Sequence, residues 1–235
     1  MHISGAIALV TGANRGLGRQ FAIQLLERGA AKVYATARRP ELVNIPGVEV
    51  LPLDITDAAS VAAASVAAGD VNILVNNAGV AFGTDLVAGD LDVLHREMDA
   101  NFWGTLSVIR AFAPQLAGGA ILNVLSVLSW IGFQGSGGYA ASKSAEWSLT
   151  NSVRLELAGQ GTQVTGLHLG AADTDMTAGY DVPKADPAVI VKAGLDGLEA
   201  GDWEVLADEW SRVAKAGLTA DPRAYYNDPY SLLQQ

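Results

Sequence analysis

The sequence predicts an α/β fold, one doubly wound parallel sheet of about seven strands with helices on both faces. Three observations carry that prediction. Short apolar runs alternate with helical patterns along most of the 235 residues, which is the signature of strands joined by crossover helices. The run over 71–75 is almost continuously apolar, as a parallel strand covered on both faces must be. Residues 12–18, Arg38, Asp54, 76–79, Ser126 and 170–174 all follow directly after strand-like runs. In such a sheet they would gather at the carboxyl ends of the strands, where ligands bind.

Residues 7–10 form the first run and lead into Thr11-Gly12-Ala13-Asn14-Arg15-Gly16-Leu17-Gly18. Leu17, Phe21, Leu25 and Leu26 then recur at helical steps. Strand, glycine turn and helix is a geometry that holds a pyrophosphate. Glycines let the backbone approach the anion, and the free N–H groups of the helix face it. The helix ends near Gly29, and 32–36 reads as the second strand. An acid at the end of this strand would favour NAD; here Ala37 is followed by Arg38 and Arg39, with Arg15 as a third cation in the turn. A 2′-phosphate suits guanidinium forks, so the pattern favours NADP(H).

The third strand, 48–53, ends at Asp54, and an Ala-rich helix follows from Thr56-Asp57 to about Ala68. The fourth strand, 71–75, runs into Asn76-Asn77-Ala78-Gly79. Residues 90–117 carry helical periodicity, split in two near Asp99. Asn101 lies among Leu94, Met98, Phe102 and Leu106, so its amide is expected to point inward and to need partners. A fifth strand, 120–125, ends at Ser126. A glycine-rich loop with Trp130, Ile131 and Phe133 follows, then a helix reaching about Ala158. A sixth strand, 164–169, leads into Gly170 and Thr174; 175–185 reads as a loop or short lid, 187–198 as a helix and 203–206 as the seventh strand. The tail from Thr219, with two adjacent tyrosines, would dock over the site or a partner subunit, or end as a simple terminus. No linker interrupts the chain, so 1–235 reads as a single domain with 219–235 as its tail.

Tyr139-Ala-Ala-Ser-Lys143 places a phenol and an ammonium one helical turn apart on one face. A fixed cation beside a phenol favours the phenolate. Tyr139 could then exchange a proton with a carbonyl or alcohol near neutral pH. His2, His95 and His168 do not cluster. His168, on a strand, reads as a satisfied core residue, and Asp173 and Asp175 read as a solvated loop.

Half of the residues are apolar, enough for a sizeable core, but no run approaches the ~18 apolar residues of a membrane span. The chain enters a strand almost at once, which leaves no room for a signal peptide, and cytoplasm is the expected location. A formal charge of -10 argues against nucleic acid as partner. With no Cys, disulfides and thiolate metal sites are excluded; no metal-ligand spacing is present.

Taken together, these motifs resemble the short-chain dehydrogenase/reductase family over about residues 6–206. Residues 11–18 are similar to its T-G-x-x-x-G-x-G turn, 76–79 to its N-N-A-G, and 139–143 to its Y-x-x-x-K. Ser126 stands thirteen residues before Tyr139, and Asn101 falls where the family keeps a helix asparagine. The resemblance implies a single Rossmann-type domain and reversible hydride transfer between NADP(H) and a small-molecule carbonyl or alcohol. It implies Tyr139 as acid/base and Lys143 as the group that lowers its pKa and bonds the nicotinamide ribose. Ser126 would orient the substrate carbonyl, and Asn101 would hold a relay water. It further implies cofactor contacts at Gly12, Asn14, Arg15, Gly16, Leu17, Gly18, Ala37, Arg38, Asp54, Ile55, Asn76, Ala78, Gly79, Gly170 and Thr174.

Trp130, Phe133, Gln134 and Tyr180, with Ser126, are candidates for the substrate-pocket wall; core or subunit contact is the alternative for the aromatic ones and Gln134. Two departures stand out. The family's Pro-Gly after the sixth strand is Leu169-Gly170 here, and its glycine three residues after the serine is Ser129. The family also includes epimerases and dehydratases, and a non-catalytic NADPH-binding regulator is a further alternative. The absence of a long insertion between Ser126 and Tyr139 favours a homodimer or homotetramer.

Overall fold

The computed structural model describes residues 1–226. Seven strands form one all-parallel sheet: β1 (Ile7–Val10), β2 (Lys32–Ala37), β3 (Glu49–Pro52), β4 (Ile73–Asn76), β5 (Ala120–Val124), β6 (Gln163–His168) and β7 (Glu204–Leu206). Their spatial order is β3-β2-β1-β4-β5-β6-β7. The chain builds outward from β1 to β3, then returns beside β1 and builds the other way. The switch point therefore lies between β1 and β4, and the crevice at their carboxyl ends is the expected ligand site of such a sheet. The register aligns Val10 with Ala35 and Val75, and Asn76 with Asn123.

Two apolar layers sandwich the sheet. Helices α1 (Gly16–Glu27) and, later in the chain, 187–200 cover one face, where Phe21, Leu25, Ile190 and Leu195 are fully buried against Val10, Val33 and Leu122. On the other face lie α2 (Ala58–Ala67), α3 (Leu91–Met98), α4 (Thr105–Phe112) and α5 (Gly137–Glu156), with Phe112, Leu116 and Val108 packed on Leu9, Leu74 and Ile121. Asp57 and Asp90 cap α2 and α3 by accepting from the second helical amide. The helix over 187–200, α6 (Pro187–Ala200), starts at an Asp186 cap with proline in its first turn and stops at Gly201 in the left-handed region.

The expected split near Asp99 is a π-helical turn, Asp99–Gly104, between α3 and α4. It presents Asn101 inward, fully buried. The sequence reading is silent on α7 (Glu209–Gly217), which packs Ala214 and Trp210 against the loop after β5. The tail turns helical at Arg223–Tyr226, where the Gly132 amide donates to Tyr226 Oη at 3.2 Å; the rest of the expected tail, 227–235, lies outside the described residues. No helix among the described residues is long and apolar enough to cross a membrane.

Candidate active site

A cleft of about 970 Å³ opens at the carboxyl ends of the strands, lined by residues from the turns after β1, β2, β3, β4, β5 and β6. One end is built mostly of backbone. Gly12 and Gly16 hold positive φ values of 66° and 53°, which side-chain-bearing residues rarely adopt. Gly18 lets α1 close onto the turn: a Cβ there would lie 2.2 Å from the Gly12 carbonyl oxygen. The first turn of α1 has no side-chain cap, so its amides are left for an anion.

The turn is stitched from below by residues the sequence reading passed over. Thr11 Oγ1 accepts from the Asn77 and Ala78 amides, both at 2.9 Å, and Asn77 Nδ2 donates to the Thr11 and Gly12 carbonyls at 2.8 and 3.2 Å. Asn77, Ala78 and Gly79 face the cleft. Asn76, expected there, does not: its side chain is buried and donates to Asn123 Oδ1 at 2.8 Å. Asn76 is the last residue of β4 and pairs with Asn123 of β5, whereas Asn77 to Gly79 lie in the turn beyond the strand.

Asn14, Leu17, Ala37, Arg38, Asp54, Ile55, Gly170 and Thr174 line the cleft as expected. Ala37 is buried where a carboxylate would otherwise stand, and Arg38 and Arg39 are exposed beside it. Arg15 reaches across the mouth to Asp175, Nη1 to Oδ2 2.8 Å, so Asp175 is paired rather than merely solvated. Asp54 closes the start of α2 by accepting from the Thr56 amide and hydroxyl. Gly170 meets the unexpected helix: its amide donates to Asp208 at 2.6 Å, and a Cβ would lie 2.8 Å from Trp210 Cβ. Trp210 itself lines the cleft.

The other end carries side-chain chemistry. α5 directs Tyr139, Ser142, Lys143, Glu146 and Thr150 toward the sheet, at the spacing of one helix face. The Ser126 hydroxyl is within hydrogen-bonding reach of the Tyr139 phenol. Lys143 Nζ lies 5.9 Å from the Tyr139 ring centroid and donates to the Val124 carbonyl at 2.8 Å and to Glu146 at 2.5 Å. Burial pushes the Tyr139 phenol above its ordinary value, against the downward pull of Lys143 and Ser126. The effect expected of Lys143 is present, but desolvation outweighs it.

Asn101 is tied to its surroundings. Oδ1 accepts from the Val80 amide at 2.9 Å, and Nδ2 donates to the Val80 carbonyl and to Ser142 Oγ at 2.9 and 2.8 Å. A Cβ at Gly79 would lie 3.0 Å from Asn101 Oδ1 and 3.9 Å from Lys143 Nζ, so glycine keeps open the space between the two.

Ser126 begins a short helical turn in which its hydroxyl accepts from the Leu128 amide and its own amide donates to Ser129 Oγ at 3.3 Å. The serine found in place of the expected glycine thus braces Ser126. Phe133 and Tyr180 line the cleft; Trp130 and Gln134 do not. Trp130 instead stacks on His168 at 3.9 Å between centroids, edge-on to Trp147, with Lys215 Nζ 4.7 Å from its ring. The correction has a physical reason. α5, β6 and α7 supply an aromatic and cationic box behind the loop through Trp147, His168 and Lys215, and a large ring gains more from burial there than from facing the cleft.

Glu97 and Glu146 are further buried acids that sequence reading missed. Glu97 accepts from the Phe82 amide at 2.7 Å and abuts Gly138; burial pushes its carboxyl up. Among the described residues no group of three or more His, Asp or Glu side chains could hold a metal ion.

The chain as a whole is similar to known proteins. A profile described as short chain dehydrogenase matches residues 6–184. A crystal structure of a short chain dehydrogenase from Burkholderia cenocepacia, in complex with NADP, superposes with a TM-score of 0.93 at 38% identity, covering 97% of this chain and 98% of that one. An uncharacterized oxidoreductase of Staphylococcus aureus is 31% identical over 83% of this chain and 92% of its own. An NADPH-dependent 1-acyldihydroxyacetone phosphate reductase of Schizosaccharomyces pombe is 34% identical over 71% of this chain and 60% of its own. With the family profile covering most of the sheet and the glycine turn, Ser126, Tyr139 and Lys143 converging on one cleft, this chain belongs to the short chain dehydrogenase family.

Proposed function

We propose that the chain is an NADP(H)-dependent carbonyl reductase, running in reverse as an alcohol dehydrogenase, on uncharged and largely apolar ketones or aldehydes. The observation that carries this reading is the division of one cleft. Arg15, Arg38 and Arg39 stand at the end built around α1 and β2, and Ser126, Tyr139 and Lys143 at the other. The residues fit a dinucleotide. The glycine turn presents Gly12 and Gly16 to the cleft with no side chain in the way, and the guanidinium groups suit a 2′-phosphate.

A bound nicotinamide supplies the hydride. The protein supplies position and a proton. The Ser126 hydroxyl donates to the substrate oxygen and stabilises the charge that grows on it. Tyr139 gives its phenolic proton to that oxygen in reduction and takes it back in oxidation. Lys143 holds the phenolate form accessible and offers an N–H to the ribose, and Asn101 keeps the neighbouring loop open for a relay water.

The cations lining the cleft are Arg15, Arg38, Arg39 and the buried Lys143. The substrate end, between Val80, Leu128, Phe133, Tyr180 and Trp210, therefore offers no further cation to an anion. The S. pombe relative acts on a phosphate ester; this wall suits a neutral carbonyl instead. Exposed Trp103 and Leu155 on the α4–α5 side support a homo-oligomer, which light scattering on the purified chain would test.

The reading is tested by cofactor oxidation with NADPH and NADH in parallel, over neutral ketones and aldehydes and their carboxylate and phosphate analogues. Turnover with NADPH well above NADH, on neutral carbonyls, is expected. Preference for NADH would overturn the cofactor assignment, and preference for anionic analogues the substrate class. Silence in both directions would overturn the enzyme.

A further inference from the structure

One member of the inward face of α5 has no part in the chemistry above. Glu146 follows Lys143 by three residues and Tyr139 by seven, and is 1% exposed. Its Oε2 accepts from Lys143 Nζ at 2.5 Å, and the Thr105 hydroxyl is within hydrogen-bonding reach. An ammonium has three donors. Val124 and Glu146 take two, which leaves one for the cleft.

An ammonium this deeply buried loses its charge unless an anion accompanies it. The groups that face Lys143 supply only one. From α5 they are Tyr139 and Glu146. β5 offers the Val124 carbonyl, the loop after β4 offers Gly79, and Asn101 of the π-helical turn and Thr105 of α4 do not titrate. Glu97 of α3 acts on Tyr139, not on Lys143. Asn101 is committed to Val80 and Ser142.

We propose that Glu146 is a positioning residue for hydride transfer: the internal counter-ion of Lys143, which keeps the ammonium charged inside the fold and aims its remaining N–H at the cleft. The inference rests on the carbonyl-reductase reading for its kinetic arm alone. Burial works against the charge on Lys143; Glu146 first, and then Tyr139, outweigh it, so the ammonium is held above its ordinary value, while burial pushes the Glu146 carboxyl up against the pull of Lys143 and Thr105. Without that carboxylate Lys143 loses its proton earlier as pH rises. A neutral amine no longer favours the Tyr139 phenolate.

The test is direct. The chain has five lysines, Lys32, Lys143, Lys184, Lys192 and Lys215, so 13C-labelled lysine gives few Cε signals, and Lys143→Arg assigns the one of interest. In the wild-type protein the Lys143 signal should hold its ammonium position past the ordinary lysine value of ~10.4. In Glu146→Gln it should titrate about one pH unit or more lower, and Glu146→Asp should restore it in part. In parallel, alcohol oxidation by the wild type should rise to an alkaline plateau. Glu146→Gln should instead fall about tenfold from its own optimum across that range.

Equal Lys143 titrations in wild type and Glu146→Gln overturn the proposal. So does a pH-independent loss of rate with an unmoved Lys143 signal, the mark of simple packing. Should Glu146→Gln not fold, the wild-type titration decides, because a Lys143 that titrates at or below the ordinary lysine value overturns the role. A wild type that oxidises no alcohol defeats the carbonyl-reductase reading but leaves the lysine titration to judge Glu146.

Discussion

The two ends of the cleft are built by different means. At the glycine turn the working groups are backbone amides, and side chains such as Thr11 and Asn77 serve to hold them in place. At the α5 end the working groups are side chains, and the backbone, through the Val124 and Ser126 positions, serves to hold them. A backbone site has no residue whose removal abolishes it; it fails when an atom is added. A side-chain site fails when an atom is taken away or a charge changes.

The largest break comes from the α5 end. Tyr139→Phe removes one oxygen and leaves the ring. Loss of a positioned acid/base is expected to lower kcat by about 10²- to 10⁴-fold, while NADPH affinity stays within about twofold because the ring still packs. Stopped-flow turnover and a fluorescence titration check both halves. Unchanged turnover would remove Tyr139 from the chemistry.

The matching break at the other end adds an atom. Gly18→Ala places a Cβ 2.2 Å from the Gly12 carbonyl oxygen and 2.5 Å from Asn77 Nδ2. Neither can yield, since the first is backbone and the second fastens the turn. Overpacking of this kind costs about 1–3 kcal/mol, and the distorted turn should weaken NADPH binding by about tenfold or more. The melting temperature should fall with it. An alanine variant that binds normally would show that the turn is more pliable than its geometry implies.

The same contrast explains how much could be read from the sequence. All seven strands were legible: the central β1, β4 and β5 are buried and written as mostly apolar runs, and the more exposed edge strands β3 and β7 stand between turn and helix signals. The glycine turn, Ser126, Tyr139 and Lys143 were legible because each follows a strand or sits one helical turn from the other. What escaped depends on contacts distant in sequence. α7 is short and polar outside, and only its packing on the Ser126 loop accounts for it. Trp130 looked like a pocket wall until Trp147, His168 and Lys215 enclosed it from α5, β6 and α7. Glu146 was within reach, since it shares the spacing of Tyr139 and Lys143. A charged residue on an inward face is a signal that helix periodicity alone reveals.

A smaller effect sharpens the cofactor end. Arg38 is exposed at the end of β2, whereas Arg15 is already paired with Asp175. A charge-assisted hydrogen bond contributes about 1.5–3 kcal/mol, so Arg38→Ala should weaken NADPH binding by roughly tenfold or more and leave NADH nearly unchanged. Arg15→Ala should do less, because phosphate would only replace Asp175 in an exposed pair that contributes ~0–1 kcal/mol. Parallel titrations with both cofactors check the order. Equal losses for NADH would mean that the arginines bind something other than the 2′-phosphate.

The smallest effect lies behind the side-chain end. His168 is fully buried, with Nδ1 3.2 Å from the Ser126 carbonyl and Nε2 3.4 Å from Glu204, an ion-pair distance rather than a well-formed hydrogen bond. His168 first, and then Lys215, hold the Glu204 carboxyl down to about 2 against partial burial. A carboxyl depressed in the folded state stabilises above its unfolded value, and that contribution is lost as pH falls through the folded one. The Glu204 contribution should therefore be complete above pH ~4.3 and vanish toward pH ~2. Glu204→Gln should cost about 1–2 kcal/mol at neutral pH after allowance for solvent screening, with the gap to wild type closing between those limits. Denaturant melts at stepped pH measure it. Because the chain from Glu204 through His168 ends on the carbonyl of Ser126, the same substitution should reduce kcat only modestly while leaving NADPH affinity alone, which separates the bracing of the side-chain end from the backbone end it does not touch.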